Sequence, residues 1–395
     1  MPNVISDNPK AKSLIEGLCG ALKDAGSFIN PHVQIRLENN QISVFTTEDV
    51  RSEHLFRIPH DLLIPCEYFD LDIENGALVI AHCDERLDQT RQHILEIMVA
   101  LFNEIQKLQS HIETCPWLKM KDHPDITDML LAAREGPEVD LLKKTLNDPE
   151  FFDELAVFTF LKSRIAGFSL HTSKNKPQEI LMPVVEFLNH HPQGAHYNNL
   201  YHEKQSFLDI QIATPIDGSA ECFACYDRLD ALDSFLHYGF VETDAPYIKS
   251  IPMSIDVEGI GHIDIRSFSA HTEPQDIPEE LKDLGFYFPR ILVDHDKKYA
   301  QVSHLYIPQK KAPFSLRRVL KFLVELLNPN ISETDCRFAI CKIEESLLQK
   351  NENYYNTLKS KVESAFKNTS MSGAFSLIHT IQTKKILNYR NFFKH

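Results

Sequence analysis

"ILMPVVEFLNHHPQG", Ile180 to Gly194, is the stretch on which the fold turns. It opens as an apolar run suited to a buried strand, yet Glu186 interrupts it and Asn189-His190-His191-Pro192 closes it. The question is what a carboxylate and an Asn-His pair do at the end of a hydrophobic segment. Upstream, His171 to Pro177 is a loop by composition. Downstream, β character continues to about Phe268 and includes a hairpin candidate, "IPMSIDVEGIGHIDIRSF", folded at Glu258-Gly259-Ile260-Gly261.

Further out, Asn8 to Asp24 has Leu14, Ile15, Leu18 and Leu22 on one helical stripe. A β-rich block follows, "VQIRLENNQISVFTTEDVRSEHLFRIPHDLLIP", with short alternating runs parted by Asn-Asn and charged turns. From Leu87 the period becomes helical: "TRQHILEIMVALFNEIQKLQSHI" sets Ile94, Ile97, Met98, Leu101, Ile105 and Leu108 on one face. Asp148-Pro149-Glu150 opens another helix, to about Arg164. Phe286 to Ile307 reads as a second hairpin. Ser332 to Asp335 has capping-box-like spacing ahead of "CRFAICKIEESLLQ", and two more helices run to Lys367 and to about Asn391.

The expected class is therefore α+β, a β core split by a helical insertion and followed by a helical C-terminal unit. The divisions are 1–85 (N-terminal helix and first part of the core), 86–175 (helical insertion), 176–270 (second part of the core) and 271–395 (linker hairpin and helical domain). A net charge of −15 argues against a nucleic-acid or anionic-membrane binder, which needs a broad basic surface. From Lys310 onward, however, 15 Lys/Arg face 7 Asp/Glu, a basic balance suited to an acidic partner or to solvated helix faces. Eight cysteines are too sparse for a disulfide-stapled fold of 395 residues and imply a reducing compartment. The N-terminal segment lacks a signal-type apolar core and no run is long enough to span a bilayer, so a cytoplasmic protein is expected.

Beyond Asn189-His190 lies "ECFACYDRLDALDSFLHYGFVE", Glu221 to Glu242. With "FTTEDVRSEHLFRIP" (Phe45 to Pro59), "FLKSR" (Phe160 to Arg164), "PVVEFLNHH" (Pro183 to His191), "CYD" (Cys225 to Asp227), "HYGFVE" (His237 to Glu242) and "LIHTIQTKKIL" (Leu377 to Leu387), this order resembles the SET-domain protein methyltransferases. The resemblance is to the plastid Rubisco large-subunit methyltransferase class and spans most of the chain. It implies a SET-type core, S-adenosylmethionine as cofactor, and a protein substrate docked by the helical C-terminal domain. By the same resemblance Asn189, His190, Arg164 and the segment Asn40, Gln41, Ile42 face the cofactor. Tyr238, Tyr247 and Glu186 are the catalytic candidates, and Tyr197, Tyr201 and Tyr226 the substrate-channel candidates. The apolar run would then be a strand threading the core, with Asn-His its cofactor-facing end.

The chemistry makes matching demands. Lysine attacks only when neutral, and with an unperturbed pKa near 10.4 about one in a few thousand is neutral at pH 7. A narrow, dry channel lowers that pKa and aligns nitrogen, methyl carbon and sulfur for displacement, and tyrosines suit its wall. Where the family has Gly-x-Gly, this chain has Gln41-Ile42-Ser43, which must adopt ordinary dihedrals or crowd the cofactor. Two alternatives stay open beside lysine methylation: a histidine target, or an inactive scaffold used as an interaction module. His190, His191, His196 and His202 lack zinc-site spacing, so no metal is expected. Cys222 and Cys225 on a strand read as two buried thiols, and Gly259-x-Gly261 as a turn.

Overall fold

The computed structural model describes residues 2–47, 54–134, 139–172, 176–202, 204–212, 220–267, 277–309, 312–367 and 369–393. Residues 48–53, 173–175, Phe268 and Lys310, which the sequence reading touches, lie outside these. The chain divides into two compact units, Met1–Leu118 with Pro149–Arg228, and Lys119–Asp148 with Leu229–His395. The helical stretch 86–175 is thus shared between them. The order is as expected: β elements, a helical insertion, β elements again, then a helical C-terminal region.

In the first unit Asn8 caps the helix Pro9–Asp24 by accepting from the backbone N–H groups of Lys10 and Ala11. That helix buries Ala11, Ile15, Leu18, Cys19 and Leu22. Asn39 and Asn40, with φ of 51° and 61°, form the tight turn joining Val33–Glu38 to Gln41–Thr46. Asn3–Ser6 pairs in parallel with Val33–Glu38 on its other edge. A four-stranded sheet runs in the order Asn198–Leu200, Phe207–Gln211, His54–Pro59, Phe28–Ile29. The helical run from Leu87 is two helices, Gln89–Glu104 and Lys107–Thr114, because Gln106 takes a left-handed conformation with φ 52°. Its predicted face is buried at Ile94, Met98, Leu101, Ile105 and Leu108.

The opening stretch is not one strand, which corrects the sequence expectation. Gln178–Leu181 is a strand, Val185–Phe187 a turn of 3-10 helix, and Asn189–Ala195 a second strand. The break falls at Pro183-Val184, where proline lacks a donor for the ladder and Val184 has φ 57°. A β-branched residue there is strained by about 1–3 kcal/mol, held by complete burial of its side chain. Asn189–Ala195 then runs parallel to Phe223–Ala224, and Ala224 pairs with both His190 and Ala195, so 191–194 bows outward. A Cβ on Gly194 would lie 2.6 Å from the Ala224 carbonyl carbon, so only glycine lets the two backbones cross.

In the second unit Asp230 caps the helix Ala231–Tyr238, and Gly239 ends it at φ 79°. The sheet order is Met253–Val257, Gly261–Ile265, Tyr299–Val302, Ile291–Asp294, so both expected hairpins are present. Ser332 caps a single helix, Glu333–Ala365, longer than the reading of "CRFAICKIEESLLQ" as a separate helix implied, because no glycine or proline interrupts it. It packs on Ser370–Phe392 and on Ser315–Leu327. The last of these was not expected from the sequence, although Leu316, Val319, Leu320, Leu323, Val324 and Leu327 repeat at helical period and are buried. Arg134 is buried among carboxylates: Nε donates to Asp233 Oδ1 at 2.5 Å and Nη2 to Asp230 Oδ2 at 3.1 Å. No helix among the described residues is long and apolar enough to cross a membrane.

Candidate active site

The break at Val184 sets the geometry of the first unit's polar corner. It turns the chain so that Glu186 projects from the 3-10 turn with its side chain 5% exposed, its Oε2 3.8 Å from Arg164 Nε. Arg164 lies just past the helix Phe152–Lys162, its guanidinium 3.8 Å above the Phe160 ring. Its Nη1 donates to Phe160 O at 3.0 Å and to Ser163 Oγ at 2.6 Å, while its buried Nε has no hydrogen-bond partner. Lys107, the first residue of its helix, brings Nζ to 3.5 Å from Gln41 Oε1.

Burial dominates the electrostatics here. It pushes the Glu186 carboxyl above its usual range, against the pull of Arg164 and Lys107, and draws Arg164 down against the pull of Glu186. Lys107 falls to about 8 through burial and the neighbouring Arg164 charge, with Glu186 opposing. Two cations therefore lie near one carboxylate, with the Arg164 and Glu186 side chains largely buried and Lys107 half-buried.

On the same strand as Gln41 and two residues on, Ser43 Oγ accepts from the Asn189 amide at 3.1 Å, and Glu221 Oε1 accepts from it at 2.8 Å. His190 Nδ1 accepts from the Tyr226 backbone N–H at 3.1 Å, and burial, helped by His191, lowers the ring to about 4. His190 is accordingly neutral at pH 7. The Tyr226 hydroxyl donates to Leu188 O at 2.6 Å, which anchors the start of the Asn-His strand.

The corner thus gathers Gln41, Arg164, Glu186, Asn189, His190 and Tyr226 from four separate segments. Gln41 and Ser43 take ordinary extended conformations, paired with Glu38 and Arg36, so the missing glycines strain nothing. Asn40 sits exposed in the tight turn, and Ile42 points the other way into the core at 4% exposure. Tyr197 packs half-buried against the core. Tyr201 is 36% exposed, its hydroxyl donating to Ser169 O at 3.2 Å and its ring edge-on to His60.

Two candidates belong to the second unit. Tyr238 is the last residue of its helix, half-buried, its ring 6.0 Å from Phe240. Tyr247 is 3% exposed in the strand Tyr247–Lys249, with Tyr306 at 4.4 Å and Phe286 at 5.5 Å between ring centroids.

Lys107, Ser43 and Glu221 were not among the sequence candidates for side-chain roles. Each meets its partner across a long separation in the chain, and a lone lysine after a polar Gln106 carries no local signal.

No family model matches the chain, and no curated protein matches it. Among solved structures it is similar to the SET domain of LSMT bound to lysine and AdoHcy, at 12% identity and a TM-score of 0.43, over 98% of this chain and 92% of that one. It is also similar to that SET domain bound to methyllysine and AdoHcy, at 12% identity and a TM-score of 0.40, over 96% and 91%. A third is Rubisco LSMT bound to AdoMet, at 12% identity and a TM-score of 0.39, again over 96% and 91%.

Proposed function

We propose that this protein is an S-adenosylmethionine-dependent methyltransferase of SET type acting on a lysine side chain of another protein. The observation that carries this reading is the convergence of Gln41, Arg164, Glu186 and Asn189-His190, residues marked by the sequence resemblance, in one corner. The donor set suits the amino-acid end of the cofactor. Arg164 Nε is a buried donor awaiting an acceptor, which a carboxylate provides, and Glu186 beside it matches an ammonium. Neutral His190, held by Tyr226 N–H, offers an uncharged ring edge to an adenine-like base.

When bound, S-adenosylmethionine supplies an activated methyl group on a sulfonium. The chain's share is to orient and to exclude water. Arg164 and Glu186 fix the amino-acid end in a low-dielectric corner, where charge-assisted hydrogen bonds gain strength. By the resemblance Tyr238 is the catalytic tyrosine, an aromatic wall of the kind that keeps a target amine neutral by withholding water. The helices from Ser315 to Phe392, within the basic C-terminal segment, dock the substrate protein. Eight free cysteines suit a reducing cytoplasm.

Incubation of the protein with tritiated S-adenosylmethionine and a protein extract tests the activity. Acid hydrolysis then yields labelled methyllysine, with a loss of about 100-fold or more in Tyr238→Phe. Label confined to methylhistidine, or a Tyr238→Phe variant at full rate, sinks the lysine reading. One observation favours a second reading, an inactive scaffold: both donors of the Asn189 amide are already spent on Ser43 and Glu221. A scaffold of this kind binds no cofactor.

A further inference from the structure

We infer that Lys107, from the helical insertion, is a binding residue for the α-carboxylate of the ligand, forming with Arg164 a two-cation clamp opposite Glu186. This rests on the methyltransferase reading and adds to it a residue outside every stretch that the resemblance covers. Three observations carry it. Among the described residues Lys107 has no carboxylate within ion-pair distance; its one hydrogen-bond partner there is Gln41 Oε1, at 3.5 Å. Arg164 Nε, the other cationic donor, is buried and unpartnered, and its nearest carboxylate oxygen lies at 3.8 Å, beyond a hydrogen bond.

The third observation is the charge count. Lys107 and Arg164 carry two positive charges against the single carboxylate of Glu186. Arg164 Nε is buried and Lys107 half-buried, so this surplus positive charge is only partly solvated and an anion completes it favourably. An α-amino acid group meets the whole set: its carboxylate takes Lys107 Nζ and Arg164 Nε, and its ammonium takes Glu186. The left-handed Gln106 is what aims Lys107 here, because it ends the preceding helix and makes Lys107 the first residue of the next. A continuous helix from Gln89 would carry residue 107 elsewhere.

The test is isothermal titration of S-adenosylhomocysteine, and of 5′-methylthioadenosine, which lacks the amino-acid end, into the full chain and its Lys107→Met and Lys107→Gln variants. The wild type binds the first ligand more tightly than the second. Both variants weaken S-adenosylhomocysteine about tenfold or more and leave methylthioadenosine within about twofold, as loss of one charge-assisted bond requires. Wild-type affinity for S-adenosylhomocysteine in either variant, or an equal loss for both ligands, overturns the assignment of Lys107 while leaving the methyltransferase reading in place. A wild type that binds neither ligand overturns that reading, and the clamp with it.

Discussion

Replacing Gly194 by alanine tests the backbone crossing on which the Asn-His strand depends. A Cβ at this position would stand 2.6 Å from Ala224 C, and 2.9 Å from both Ala224 O and Cys225 N. All three neighbours are main chain, so no side chain can swing aside. Relief requires the strands to part by close to an ångström, which breaks the 2.8 Å hydrogen bond from Cys225 N–H to Ala195 O and loosens the pairing of Ala224 with His190 and Ala195. Overpacking of this kind costs about 1–3 kcal/mol, and a buried backbone bond left unmade adds about 1–3. The expected loss is therefore about 2–6 kcal/mol. Trp117 is the chain's single tryptophan, 4% exposed and within the first unit, so its fluorescence in a urea titration reports that unit. Gly17→Ala is the control: it lies inside the helix Pro9–Asp24 with nothing within 4 Å of a Cβ, and should stabilise by about 0.5–1 kcal/mol. A Gly194→Ala protein within about 0.5 kcal/mol of wild type would refute the crossing.

Two further outcomes follow from buried charge. His190 falls to about 4 in the folded state from an ordinary 6.5, so the unfolded chain binds the extra proton first as pH drops; its stabilising share is full above about 6.5 and is lost by about 4. Discounted for its partial exposure, the loss is about 1–2 kcal/mol, and urea titrations at pH 7 and 4 should show that much less pH dependence in His190→Gln. In the second unit Arg134→Met takes the buried guanidinium from Asp230 and Asp233, both nearly inaccessible, leaving Asp230 its backbone and Gln382 donors and Asp233 the Lys249 ammonium at 4.0 Å; it should cost about 3–5 kcal/mol, read as early proteolysis of the C-terminal helices. Proteolysis at the wild-type rate would mean that those remaining partners suffice.

Much of the architecture was legible because local chemistry and global fold agree. Asn39-Asn40 suits positive φ, Asn8-Pro9 and Ser332 mark helix starts, and Gly259 marks a hairpin. The features that build the corner were not. Left-handed Val184 and Gln106 contradict local preference and are held by tertiary packing, so a run that reads as one strand breaks into strand, turn and strand, and a run that reads as one helix divides in two. The family resemblance marked Arg164, Glu186 and Asn189 as candidates. Their partners Lys107, Ser43 and Glu221 depend on chain crossings that no local pattern encodes.

The most direct measurement is the equilibrium binding of S-adenosylmethionine to the wild type and to Arg164→Met by isothermal titration. The account predicts micromolar binding, about −8 kcal/mol, weakened about 30-fold or more when the Arg164 donor is removed. No detectable heat with the wild type, or equal affinity in the two proteins, would contradict it.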